Sequence, residues 1–281
     1  MAKGLPVLRR RIGSIKATKK VTKAMQMIAT TKLKTWKQSM LESRLYAEKL
    51  MEIVHTNLAH EDLKNSVFFK TDKNKPTLYL LVTSNLGLCG SYNYNVLSQF
   101  IKQVKPQDVV FTIGEKAGRY LKAINRSFDA TYVQAGSLSE ATLSPLIDAV
   151  VTSFKQREVS QVVVVYTKFI NSLVFQPTSL TLLPLAIGKF TATGVNPLKP
   201  PLIEPDPLSV FEKLVPFYLK NTLYASLIES QVSEQSSRRN AMEKASDNAD
   251  ELVEQLQLEF NKQRQANITQ EIAEIIGGSS T

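Results

Sequence analysis

A chain of 281 residues with 43% hydrophobic side chains is long enough for one or two domains with an ordinary core. Its single cysteine, Cys89, excludes an internal disulfide framework and a cysteine-only metal site. No run of about 18 apolar residues is present, which excludes a transmembrane helix, and the net charge of +10 directs attention to acidic partners.

The first element is a long helix. From Lys3 to Val54 the chain has Gly only at positions 4 and 13 and Pro only at position 6. Leu5, Leu8, Ile12 and Ile15 step by 3, 4 and 3, a heptad seam, and Leu33, Trp36 and Met40 keep its phase. Between them the apolar positions slide to Val21, Met25 and Ile28, which predicts an irregular coiled coil. About 50 helical residues span roughly 75 Å, more than the diameter of a compact domain of this mass. Eleven basic residues lie between Lys3 and Lys37, and no acid precedes Glu42. A helix of that charge points to nucleic acid, anionic lipid or an acidic protein surface, with a merely solvated face as the plain alternative. The start, MAKGLPVLRRR, lacks the apolar core of a secretory signal and is read as mature protein. His55 and His60 are five apart, where helical metal pairs prefer three or four, so surface positions are expected.

A polar stretch, Lys70–Lys75, ends at Pro76. After it come strand patterns at 77–83, 109–113, 131–134, 161–168 and 178–183, alternating with helical patterns near 94–103, 115–124 and 139–156. This alternation predicts a parallel or mixed α/β sheet. The one Gly-rich turn after a strand is Ser84–Ser91, SNLGLCGS. It has neither GxGxxG nor GxxxxGK[ST], so Gly87 and Gly90 are expected to shape a turn rather than hold a phosphate. Cys89 has no His or Asp at catalytic spacing and is expected to be a buried thiol.

A Pro-rich stretch, Pro197–Pro207, leads into the last helix, which begins near Leu208 and carries Pro216 early. Met242, Ala245, Ala249, Leu252 and Leu256 form a second heptad seam. Beyond it the apolar pattern thins and returns as Ile268, Ile272, Ile275 and Ile276, and Gly277–Gly278 marks the stop. Asp247, Asp250, Glu251 and Glu254 form an acidic face expected to be solvated. A helix this long cannot bury its stripe alone, and the first helix is the natural partner. The prediction is a rod of two terminal helices carrying a globular domain.

Three segments together resemble the gamma subunit family of F-type ATP synthases. RRRIGSIKATKKVTKAMQMIATTKLK is similar to the family's start through Ser14, Thr18, Lys20, Thr22, Lys23, Ala24, Met25, Met27 and Lys32. SNLGLCGSYN resembles the family's S-D-R-G-L-C-G-x-x-N turn. The run from Asn240 to Gly278 is similar almost throughout, with Asn248, Asn261, Arg264, Gln265, Ala266, Ile268, Thr269, Glu271, Glu274 and Ile275 in place. The resemblance implies an α/β fold: an antiparallel coiled coil of long N- and C-terminal helices with an inserted Rossmann-like α/β domain. Its limits are set at 1–58 for the N-terminal shaft helix, 59–75 for a linker, 76–190 for the α/β domain, 191–207 for a Pro-rich linker and 208–281 for the C-terminal shaft helix.

The resemblance further implies a non-catalytic rotor subunit of a proton-translocating enzyme, with no cofactor and no metal. Its partners would be the alpha and beta subunits of a catalytic hexamer, the epsilon subunit and the ring of c subunits. It implies neither nucleic-acid binding nor direct membrane insertion. By motif position, Met25 and Arg238 match shaft residues concerned with coupling, and Gln265 and Thr269 match polar contacts to catalytic-subunit loops. Arg264 and Glu271 are their neighbours on the same tip. Spacing alone leaves Met25 open to ordinary seam packing, and Gln265 and Thr269 open to an isolated surface pair. Asn85–Leu86 replace the family's Asp–Arg, and Arg239–Asn240 stand where apolar residues are usual in the family. The absence of a transit peptide favours a bacterial chain, peripheral on the cytoplasmic side of the cell membrane. Two other readings remain at this point. One is a gamma-like shaft of a paralogous rotary ATPase not coupled to a proton channel. The other is a basic coiled-coil nucleic-acid-binding protein.

Overall fold

The computed structural model describes residues 4–57, 66–72, 74–129, 140–185, 204 and 206–278. Helix α1 covers Leu5–Asn57 and helix α5 covers Pro207–Gly278. Between them lie β1 (Thr77–Val82), α2 (Tyr92–Ile101), β2 (Val109–Ile113), α3 (Glu115–Ala123), α4 (Glu140–Lys155), β3 (Gln161–Phe169) and β4 (Phe175–Leu183). The strand expected at 131–134 and His60 fall outside the described residues, as does the side chain of His55. The chain divides into two bodies, Lys32–Ser237 and Met1–Thr31 with Arg238–Thr281.

The Lys32–Ser237 body is built on a four-stranded sheet of order β2-β1-β3-β4. β1 pairs in parallel with β2 and β3, and β4 closes the edge antiparallel to β3. All six residues of β1 are buried, as expected for a strand covered on both faces. The side chains alternate with period two. Leu78, Leu80, Val82, Val162, Val164 and Tyr166 meet α4 and the first part of α5 on one face. Tyr79, Leu81, Val163 and Val165 meet α2 and α3 on the other. Each fully buried Leu or Phe in these layers contributes on the order of 2 kcal/mol. α5 lays Phe211, Val215, Leu219, Leu223 and Leu227 on the sheet, and Pro216 sits within the helix. Phe211 stacks on Phe69 at 5.4 Å, beside a short 3-10 turn, Val67–Phe69, whose Phe68 is fully buried. Further along, Ile228 and Val232 of α5 meet Leu33, Trp36 and Met40 of α1.

Gly114, between β2 and α3, has φ of +98°, and a Cβ there would lie 2.1 Å from the Thr83 carbonyl oxygen. No other residue type fits without moving the backbone. In the Gly-rich turn, expected to be shaped by Gly87 and Gly90, the left-handed residues are Gly90 at φ 57° and Leu88 at φ 61°. Cys89 is buried beside Ser84 and Asn93, whose amide donates to Cys89 Sγ at 3.1 Å.

In the second body α1 and α5 run antiparallel. Leu8 and Ile12 pack on Leu256, with Ile15, Val253 and Phe260 alongside, while Thr22 Oγ1 lies 2.7 Å from Ser246 Oγ. Two expectations change here. The α5 seam is Met242, Ser246, Ala249, Val253, Leu256 and Phe260, and Leu252 points outward at 46% exposure. Alternating steps of four and three fit a heptad whatever the polarity of Ser246, and its hydroxyl is satisfied by Thr22 and by the Met242 carbonyl. Nor does the α1 seam slide to Val21 and Ile28, which are exposed. Lys19, Thr22, Gln26 and Ala29 hold the phase between Ile15 and Leu33, because a phase slip would need local over- or underwinding. Asp250, expected on a solvated face, pairs with Lys19.

Candidate functional site

The crevice beyond the carboxyl ends of β1 and β3 is the place to look first. The chain passes from β1 to β2 on one side and then back across to β3 on the other, so the strand order reverses there, and open α/β sheets bind ligands at such a point. In this chain α5 fills it. Ser230 Oγ lies 2.7 Å from Tyr92 Oη, Ser233 donates to the Thr167 carbonyl at 3.2 Å, Ser236 to that of Ser172 at 3.1 Å, and Ser237 to that of Cys89 at 2.7 Å. Tyr166 donates to Glu229 at 3.3 Å, and burial together with the Glu229 charge pushes its phenol up to about 12. The dinucleotide position of this fold is thus occupied by the chain's own helix.

The Ser84–Ser91 turn also has a structural role. Asn85 Oδ1 accepts the Glu115 N–H at 3.1 Å, the Ser84 carbonyl accepts that of Lys116, and Thr83 Oγ1 accepts that of Ala117. Together they cap α3, whose own N-cap, Gly114, has no side chain to offer. Asn at position 85 therefore keeps the oxygen that an Asp would bring. Among the described residues no group of His, Cys, Asp and Glu could hold a metal ion.

What remains is surface. In the body of Met1–Thr31 with Arg238–Thr281, Lys16, Lys19, Lys20 and Lys23 of α1 line a shallow groove with Ala24, Met27, Asp250 and Val253. The Lys19–Asp250 pair is about half exposed and contributes under about 1 kcal/mol. Beyond Gln263 every described side chain of α5 is exposed, including Ile268, Ile272, Ile275 and Ile276. An apolar helical stripe left bare over several turns marks an interaction surface.

The candidate residues divide accordingly. Arg264, Gln265, Thr269 and Glu271 share this bare end. Thr269 donates to the Gln265 backbone carbonyl at 3.0 Å, so the Gln265 amide is not taken up by it. At about 100° per residue Gln265 and Thr269 fall on the isoleucine side, while Arg264 and Glu271 share a second line. Met25 is half-buried on α1 and Arg238 is buried on α5. The residues missed in the sequence are Ser230, Ser233, Ser236 and Ser237. Their signal was there: four serines within eight residues, in a stretch of α5 that has neither Gly nor Pro and follows directly on the apolar positions Leu223 and Leu227.

A protein-family model described as "ATP synthase" matches residues 4–281. The ATP synthase gamma chain of Mycoplasma mobile is 35% identical over 288 residues, covering 99% of this chain and 98% of that one. The gamma chain of Heliobacterium modesticaldum is 34% identical, covering 99% and 98%. The chain belongs to the ATP synthase gamma chain family. A solved central stalk and c-ring of Tetrahymena thermophila mitochondrial ATP synthase contains a chain with TM-score 0.60 and 25% identity, covering 80% of this chain and 99% of that one. A chain in Euglena gracilis mitochondrial ATP synthase shares the fold at TM-score 0.69 and 18% identity, covering 98% and 93%. The chain is accordingly a non-catalytic central-stalk subunit of a rotary ATP synthase, a peripheral part of a membrane-associated complex. No helix among the described residues is long and apolar enough to cross a membrane.

Proposed function

We propose that this chain is the rotor of a bacterial, proton-translocating F-type enzyme, peripheral on the cytoplasmic side of the cell membrane. Its partners are the alpha and beta subunits of a catalytic hexamer, an epsilon subunit and a c-subunit ring. Ion flow turns the rotor, and the turning rotor drives ATP synthesis, or is driven by hydrolysis, in the hexamer. One observation carries the reading: the end of α5 beyond Gln263 is bare, with isoleucines interleaved among Arg264, Gln265, Thr269 and Glu271. That surface needs a sleeve, and the lysines of α1 add a face for an acidic loop. Met25, at the edge of the α1 seam, belongs to the same contact. Arg238 is buried within the chain, so its part is to hold neighbouring groups rather than to present its own guanidinium. Contacts on such a surface must be shallow in energy, since a deep minimum at one angle would stall the shaft. The domain limits given from the resemblance, 1–58, 76–190 and 208–281 with linkers between, are part of this proposal.

Affinity purification from the native cells, with mass spectrometry and an ATPase assay on the eluate, tests it. Recovery with alpha-, beta-, epsilon- and c-type subunits supports the reading. A hexamer without a membrane ring replaces it with a paralogous motor, and nucleic acid without ATPase activity overturns both.

A further inference from the structure

The joint between α5 and the α/β domain has a geometry that core packing does not require. Up to Leu227, α5 lies on the sheet through apolar side chains, and such contacts are non-directional. From Ser230 to Ser237 four hydroxyls turn toward the domain, and they grip two different walls. Ser230 and Ser237, seven residues apart and so on one face, reach Tyr92 and Cys89 in the segment after β1. Ser233 and Ser236, three apart, reach the carbonyls of Thr167 and Ser172 at the end of β3. At about 100° per residue the two pairs lie roughly 80° apart around the helix axis. Turning α5 either way stretches one pair or the other, and hydrogen bonds weaken steeply once distance and angle leave their narrow range. An apolar seam at the same place would let ridges settle into the next groove.

We propose that these four hydroxyls form an angular clamp. Ser230, Ser233, Ser236 and Ser237 are positioning residues that set the rotation of α5 in the α/β domain and carry torque between them. The inference rests on the rotor reading above and adds to it the place where the shaft is held. Tyr92 completes the clamp. The bond from Tyr166 to Glu229, the residue just before Ser230, supports it.

The test is the triple variant Tyr92→Phe, Ser230→Ala, Ser237→Ala in the complete membrane complex. Removing both hydroxyls of the Tyr92–Ser230 pair leaves neither one without a partner. The Cys89 carbonyl still accepts the Tyr92 N–H at 3.2 Å. Folding is therefore expected to survive, with Tm of the purified chain within about 3 °C of the parent. ATP hydrolysis and ATP-driven ion uptake are then measured on the same vesicles, alongside subunit content. The expected result is hydrolysis within about twofold of the parent, with ions moved per ATP reduced at least about threefold, as a slipping joint demands. An unchanged ratio overturns the clamp. So does a proportional loss of both activities with loss of complex, which would make the hydroxyls a matter of assembly only. If the parent vesicles themselves show no ATP-driven uptake, the rotor reading fails instead, and the two failures are distinguishable.

Discussion

Two stretches of one helix, Phe211–Ser237 and Asn261–Gly278, are treated in opposite ways by the same chain. The first is covered almost throughout, by the sheet as far as Leu227 and then by polar walls that satisfy its serines. The second carries four isoleucines and covers none of them. Helical continuity across both shows that helix formation does not depend on tertiary burial at every turn. The covered stretch is where the chain holds itself together. The bare stretch is the surface that the proposed function assigns to another molecule.

The largest expected effect lies in the covered stretch. Phe211→Ala removes a fully buried ring that stacks on Phe69, and is expected to destabilise the Lys32–Ser237 body by about 3–5 kcal/mol in thermal or urea unfolding. A loss under about 1 kcal/mol would mean that the helix is not anchored there.

The next effect concerns pH. Tyr166 is raised to about 12 from the ordinary 10.0 by burial and by Glu229. Its neutral form is thus favoured by folding, so the stability it contributes is complete below pH 10 and is lost as pH rises toward 12. The contribution is on the order of 2 kcal/mol. Alkaline unfolding of the parent should steepen across that window, and Tyr166→Phe should flatten it. A Tyr166→Phe curve parallel to the parent's would contradict the assignment.

Smaller still is Lys19→Ala. The pair with Asp250 is half exposed, so the expected loss is under about 1 kcal/mol and vanishes in high salt.

At the bare end, Ile272→Ser should change the stability of the isolated chain by no more than about 0.5 kcal/mol, since nothing in the chain covers that side chain. Binding of the chain to the hexamer should weaken all the same, as measured by titration with purified alpha and beta subunits. If stability falls and binding does not, the isoleucine face belongs to the fold, and the contrast between the two stretches disappears.

Much of this architecture was legible because it rests on local periodicity. The limits of β2 were read to the residue, and α3 and α4 to within a residue, because Val109–Ile113 is bounded by Pro106–Asp108 and Gly114, and the apolar faces of the helices are regular. The seam was harder. Leu252 is as apolar as Leu256, and only the position of α1 decides that Val253 is turned inward and Leu252 outward. Thr22 and Ser246 belong to the seam because each satisfies the other, which one chain segment read alone does not reveal. Leu88 at positive φ shows the same limit, since its neighbour Gly87 is the residue that a turn would normally recruit. The proposed contact residues come only from the resemblance to the gamma family. An exposed Gln or Thr on a helix has no chemical signature of its own, and the serine clamp lies outside the family's motif runs quoted above.

The most direct test of the account is to watch the chain turn. A hexamer reconstituted with this chain is fixed to a surface, and a bead is attached through Tyr94→Cys, a site 75% exposed on α2, while the natural Cys89 is buried and stays unlabelled. On addition of ATP the account predicts stepwise rotation of the bead in one direction, at a rate that follows hydrolysis. Sustained ATP hydrolysis under a stationary bead would contradict it.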